Sequence, residues 1–257
     1  MSKFKGFVIL CFWLTIAQTG SAGNNKTFNR VVGTAQKESR ILACNYPEFS
    51  FHLPQLAGNF RLGIQCGERS SWSEALKSVS VKEKNGNLTY VIRDALLGNG
   101  ILTVRVVGLT YSAGLIMEVE AKDVPPTLQL IWSFGGCYGK VLNDKTDSRM
   151  KPIYCKDNVF SVEGTAFICY YGESMKLKVI RGVTPPASDI RLSDAHRQDT
   201  PLLLYQSGKK TDAPVLAAAC AIKSNEKLYF CFYTQNKEAD YNYYMLPALF
   251  TREFNKE

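Results

Sequence analysis

Histidine is nearly missing from this chain, which has only His52 and His196 in 257 residues. No C-x-x-C spacing joins its eight cysteines, so zinc-ribbon and thioredoxin-like chemistries lack their ligand pattern. No phosphate loop, dinucleotide fingerprint, H-E-x-x-H, EF-hand spacing or G-x-S-x-G elbow is present, and no cofactor or metal is expected. Basic residues outnumber acidic ones 31 to 23, for a net charge of +8. They are scattered, whereas a nucleic-acid surface needs a clustered stripe, so no nucleic-acid partner is expected. Internal repeats, heptads and low-complexity blocks are absent too, and hardly any stretch carries a helical period.

What the chain does have is alternation. Leu96 to Gly139 reads as three long strand patterns in a row. In the first, Ile101, Thr103, Arg105, Val107, Leu109 and Tyr111 alternate with Leu102, Val104, Val106, Gly108 and Thr110. Both faces are mostly apolar, which predicts a mid-sheet strand covered on both sides. In the second, Leu115, Met117, Val119 and Ala121 share one face, and Ile116, Glu118, Glu120 and Lys122 the other. In the third, Leu128, Leu130, Trp132 and Phe134 share a face, which makes Trp132 a core residue. Asn85-Gly86 between Lys77–Lys84 and Leu88–Arg93 predicts a two-residue hairpin turn. Further strands are expected at Asn29–Val32, Arg40–Asn45, Phe49–Leu53, Gly58–Cys66, Val159–Val162, Thr165–Tyr171, Lys176–Ile180, Leu202–Tyr205, Val215–Ile222 and Lys227–Tyr233. Lys140–Met150 reads as a loop, and Ser188–Thr200 as a polar stretch holding one helical turn capped by Ser193 or Asp194. About fifteen such segments with turn signals between them predict an all-β fold, a large antiparallel β-sandwich.

Residues 1–22 read as a secretory signal: Lys3 and Lys5, an apolar Gly6–Ala17 core, and the small residues Gly20-Ser21-Ala22. The apolar run is too short for a comfortable span, and no stable membrane anchor is expected. A secreted or periplasmic location follows as an expectation. Asn25 and Asn87 fit the glycosylation tripeptide, which matters only in a eukaryotic host. Cleavage would remove Cys11 and leave seven cysteines, most of them inside apolar strand patterns, where they act as small buried hydrophobes. Free, buried thiols are expected, and Cys137 with Cys155 is the pair to test for a disulfide.

Candidate chemistry is sparse. Glycoside hydrolysis needs paired carboxylates, and Glu68, Glu74, Asp94, Asp157, Asp189 and Asp194 lie at strand ends without a readable pairing. Most fit loop caps or partners of Arg93, Lys156, Arg191 and Arg197. A Ser193–His196–Asp194 constellation can be drawn, but no elbow motif supports it. His52 reads as a structural imidazole. Sugar binding wants an aromatic face beside planar hydrogen-bonding groups. Trp72, in the polar stretch SSWSE, is the exposed aromatic candidate, and Trp72→Ala is expected to weaken glycan retention without lowering stability. The ligand-binding candidates are therefore Trp72, Arg93, Asp94, Tyr138, Asp157 and His196. Tyr241, Tyr243 and Tyr244 are expected to leave an exposed apolar patch on the tail.

Several stretches together carry a family resemblance: Pro47-Glu48-Phe49, Gly58–Gly63 (GNFRLG), Tyr90–Gly98 (YVIRDALLG), Leu130–Gly139 (LIWSFGGCYG), Lys151–Asn158 (KPIYCKDN) and Ser188–Arg197 (SDIRLSDAHR). They resemble the N-terminal domain of a family of large secreted bacterial proteins known as a domain of unknown function. Members of that family resemble glycoside hydrolases and phosphorylases built from a β-supersandwich followed by an (α/α)6 barrel. The resemblance implies a galactose-mutarotase-like supersandwich over 23–235 and a linker-like tail over 236–257, which itself reads as a linker or the start of a helix that does not continue. It places catalytic carboxylates in a barrel for which this sequence has no counterpart. That implies a short member, a truncated frame or one part of a split system, with a separate or missing (α/α)6 domain as partner. The resulting expectation is a non-catalytic carbohydrate-processing accessory domain that binds a glycan or a partner. The alternatives are a glycoside hydrolase-like or mutarotase-like enzyme, with a His and a carboxylate together on a concave sheet face, or a truncated remnant of a two-domain glycosidase.

Overall fold

The computed structural model describes residues 27–36, 39–53, 56–138, 149–156, 158–171, 178–208 and 210–256. The leader over 1–22, Asn25, Pro54, most of the Lys140–Met150 loop, Asp157 and the start of the strand expected at Lys176 lie outside them. Among the described residues, sixteen strands and three short α-helices follow in chain order. They are β1 (Arg30–Gln36), β2 (Ser39–Ala43), β3 (Glu48–Leu53), β4 (Leu56–Cys66), β5 (Arg69–Trp72), β6 (Ser78–Lys84), β7 (Asn87–Arg93), β8 (Ile101–Gly108), β9 (Gly114–Lys122) and β10 (Leu128–Gly135), then α1 (Pro152–Cys155). The chain continues through β11 (Val159–Glu163), β12 (Ala166–Tyr171), β13 (Lys178–Val183), β14 (Asp189–Asp194), α2 (Pro201–Tyr205), β15 (Pro214–Ala221), β16 (Lys227–Tyr233) and α3 (Leu246–Phe254).

The strands form two eight-stranded antiparallel sheets, so the fold is the expected all-β sandwich. The first sheet runs β1-β2-β3-β4-β10-β15-β14, with β5 added on β4, and the second runs β11-β12-β13-β16-β9-β8-β7-β6. Alternation sets the core between them. Phe60, Leu62, Ile64, Leu130, Trp132 and Phe134 from the first sheet meet Val104, Met117, Phe167, Phe230 and Phe232 from the second. Trp132 is fully buried and stacks on Phe60 and Phe167, with ring centroids 6.4 and 5.9 Å away. The hairpin turn is where the sequence places it: Asn85 (φ 53°) and Gly86 (φ 75°) both take the left-handed conformation it needs.

Outer faces depart from the sequence reading. β8 does lie mid-sheet, but Thr103 and Arg105 on its outer side are half-exposed, and Arg105 pairs with Glu118 and Glu120 instead of packing under a layer. Of the two readings of the tail, a linker or the start of a helix, Leu246–Phe254 take the second. Helix α3 lays Leu246, Leu249 and Phe250 on Val107, Ile116 and Tyr229. Tyr241 and Tyr243 pack at that cluster's margin, so the expected tyrosine patch shrinks to Tyr244, 90% exposed, beside Met245. Leu202–Tyr205, expected as a strand, is α2. Thr200 caps it by accepting from the Leu203 N–H (3.1 Å), with Pro201 opening the first turn. The helical turn expected within Ser188–Thr200 is instead β14 and the turn after it. All seven described cysteines are thiols; Cys66 alone is partly exposed, and Cys137 and Cys155 are not bridged.

Candidate functional site

On the outer side of the first sheet, side chains with odd numbers on β4 point away from the core. Arg61 does so next to Glu48, its direct cross-strand neighbour on β3. Its guanidinium reaches four groups. Nε lies 3.8 Å from Glu48 Oε2, Nη2 donates to Glu74 Oε1 (3.3 Å), and Nη1 donates to Gln198 Oε1 (3.1 Å). The flat ion also lies over the Trp72 ring, 4.2 Å from its centroid. Trp72 closes β5, which pairs with β4 so that Trp72 stands opposite Gly63. Its indole N–H donates to the Gln198 carbonyl (2.7 Å). Gln198 is itself held through Nε2, which donates to the Met150 carbonyl (2.9 Å) and to that of Ala195.

Glu48, Arg61, Glu74, Met150 and Gln198 line a cleft of about 510 Å³ together with Arg149, Lys151, Pro152 and Asp199. Glu48 is buried in its wall. Asn59 Nδ2 donates to its Oε1 (3.1 Å), yet burial pushes its carboxyl above the usual range, with Arg61 and Asn59 pulling the other way and Glu74 adding to the rise. Beside the cleft, Tyr154 of α1 stacks on Tyr138 (centroids 4.2 Å apart, planes 14° apart), and the Lys151 ammonium sits over the Tyr154 ring at 5.3 Å. The arrangement offers planar hydrogen-bonding groups, fixed in place, next to an aromatic pair.

The expected ligand-binding residues do not converge. Trp72 is 3% exposed and does not line the cleft, because Arg61 covers one face of it, so it is not the open aromatic platform expected. Removing it would therefore disturb the fold as well as any ligand. Tyr138 belongs to the aromatic pair. Arg93 is exposed at the end of β7, and Asp94 is a cap whose carboxylate accepts from the Leu96 and Lys77 N–H groups, both at 2.9 Å. His196 is exposed and bonds Asp212 at 3.0 Å. Asp157 lies outside the described residues. Among the other carboxylates, Glu68 is exposed in a turn, and Asp189 is held below the ordinary range by hydrogen bonds from Arg191 and then Tyr205. Asp194 accepts from the His196 N–H (3.0 Å) and Thr211 Oγ1 (2.7 Å). Ser193 Oγ is buried without a partner among the described residues, so no Ser193–His196 pair forms. His52 bonds Ser50 (3.2 Å) inside the first sheet, and neither histidine lines the cleft. Among the described residues, no group of three or more His, Cys, Asp or Glu side chains could hold a metal ion. No helix among them is long and apolar enough to cross a membrane.

Sequence reasoning missed Glu48 and Arg61 as a pair. The available signal was parity: both fall on the polar side of strands whose other side is aromatic. The sequence profile of the family described as Domain of unknown function (DUF4450) matches residues 53–253. No curated protein matches the chain.

Proposed function

The chain belongs to the DUF4450 family, and from that premise we propose that it is a non-catalytic accessory domain of a carbohydrate-processing system, exported from the cytoplasm, which holds a glycan in the Glu48–Arg61–Glu74 cleft. The observation that carries this reading is the state of Arg61. Its donors hold Gln198 and Glu74 and its plane is clamped on Trp72, so the polar side chains of the cleft are fixed before any ligand arrives and little rotamer entropy remains to be lost on binding. A sugar ring has an apolar C–H face and a rim of hydroxyls. The part-exposed edge of Tyr154, stacked on the buried Tyr138 and adjoining the cleft through Lys151, suits the first, and the carboxylates, Gln198 and Asp199 that line the cleft suit the second. The export half of the proposal rests on the basic start, apolar core and small residues of 1–22.

Affinity electrophoresis against a panel of soluble polysaccharides tests it. At least one should retard the protein. Asp199→Ala and Lys151→Ala, which spare the Arg61 network, should each lose about tenfold in affinity, roughly 1.4 kcal/mol, with the melting temperature unchanged. Retardation by no member of the panel, or parental binding by both variants, would refute the proposal. One observation favours a second reading, hydrolysis by the sandwich alone: Glu48, whose raised carboxyl suits a general acid, shares the cleft with Glu74. Release of shorter oligosaccharides on incubation, abolished by Glu74→Gln, would select it.

A further inference from the structure

Two open sheets end in four terminal strands, while β5, paired only with β4 among the described residues, has α2 packed against it, the Leu202 N–H donating to Ser70 Oγ (3.1 Å). Each terminal strand offers a row of N–H and C=O groups to a foreign strand unless something blunts it. Three are blunted here. β1 breaks register between Val32 and Gln36, and the Gly33 N–H donates to the Gly86 carbonyl (2.9 Å), which ties that edge to the second sheet. β14 carries Asp189, Arg191 and Asp194, with Arg191 folded against Asp189 (2.6 Å) and over the Tyr205 ring (4.3 Å). β6 ends in Lys82, Glu83 and Lys84, all exposed. Among the described residues, β11 has no such device. It reads VFSVE, its one charge is the last residue, and Val159 and Val162 are 60% and 44% exposed. Among the described residues, only β12 pairs with it.

We propose that β11 docks a second copy of this chain, the two β11 strands running antiparallel about a two-fold axis through Ser161. In that register Ser161 meets its counterpart, Phe160 meets Val162, and Val159 meets Glu163. No carboxylate then faces another. The parity is also preserved. Phe160 packs on the main core, and it shares a side of the strand with Val162, so opposing the two continues the apolar side into the second copy. A shift by one residue would oppose Val159 to Val162 and turn that side outward. With five residues a side, the contact is far smaller than a standard interface of about 1,600 Å², which makes it a weak, transient one.

Sedimentation velocity from about 10 to 500 μM should show a monomer–dimer equilibrium in that range, and Val162→Lys should shift it at least tenfold toward monomer with an unchanged circular dichroism spectrum. A cross-link reads the register independently of affinity. In a Cys66→Ser background, Ser161→Cys should form a disulfide-linked dimer with oxidised glutathione, the glutathione disulfide being reduced to two thiols as the two cysteines lose two protons and two electrons. Ser78→Cys on the β6 edge should not. A monomer at every concentration, or a Ser161→Cys cross-link no faster than that of Ser78→Cys, would overturn the proposal.

Discussion

Arg61 shows both what the sequence reveals and what it conceals. Parity along GNFRLG assigns Phe60 and Leu62 to the core and turns Arg61 away from it, as observed. Its partners were not legible, because Glu48, Glu74 and Gln198 come from three other segments and meet only once strand register is fixed. Trp72 misled for a related reason: polar neighbours suggest exposure, but pairing with Gly63 delivers the ring to the guanidinium. The consequence for stability is direct. The Glu48 and Arg61 side chains are 6% and 12% exposed, so Arg61→Ala strands a buried carboxylate. A loss of about 3–5 kcal/mol is expected in urea denaturation. Glu48→Gln added to Arg61→Ala should restore part of it, giving a coupling of about 1–3 kcal/mol in the double-mutant cycle. Additive single effects would mean that the two side chains do not sense each other.

Among elements, strands were the most legible because alternation is a local property. Short helices were not. LLLY over 202–205 is too brief to show a period, and only Thr200-Pro201 announced a helix start. Gly63 then matters to the packing of α2, since a Cβ there would come 2.6 Å from Pro201 Cγ. The tail posed the same difficulty in a longer form. Seen alone, α3 is a nine-residue helix with Pro247 near its start; its apolar side acquires meaning only over the outer face of β8, β9 and β16. Phe250 is buried there and packs on Tyr229 and Phe254, with centroids 6.0 and 5.1 Å away. Phe250→Ala is therefore expected to cost about 3–5 kcal/mol and to open the C-terminal segment to limited proteolysis. A variant as stable and as resistant as the parent would show that the helix does not stay docked.

At the scale of the whole molecule, two ionisable groups, the half-buried His52 and the buried Glu48, tilt the pH dependence of stability in opposite directions. His52 is held down to about 4 from 6.5, chiefly by burial and then by the nearby Arg40. The unfolded chain therefore binds a proton that the fold refuses, and stability falls as pH drops from about 6.5 toward 4. Glu48 is raised, so its folded state keeps a proton that the unfolded chain releases; stability is greatest below the ordinary 4.5 and declines as pH rises above it. Asp189 and Glu253 are both depressed, Glu253 because hydrogen bonds from Thr110, Lys256 and Arg252 outweigh its burial, and both lose stability on acidification. Those contributions are common to wild type and to variants at the first two sites, so difference curves isolate each group. Wild type minus His52→Asn should slope downward with falling pH between about 6.5 and 4 and flatten above it. Wild type minus Glu48→Gln should slope the other way, losing ground as pH rises past 4.5. A flat first curve would mean that the imidazole titrates in the fold as it does in the open chain, and a flat second curve would mean that Arg61 and Asn59 fully offset the burial of Glu48.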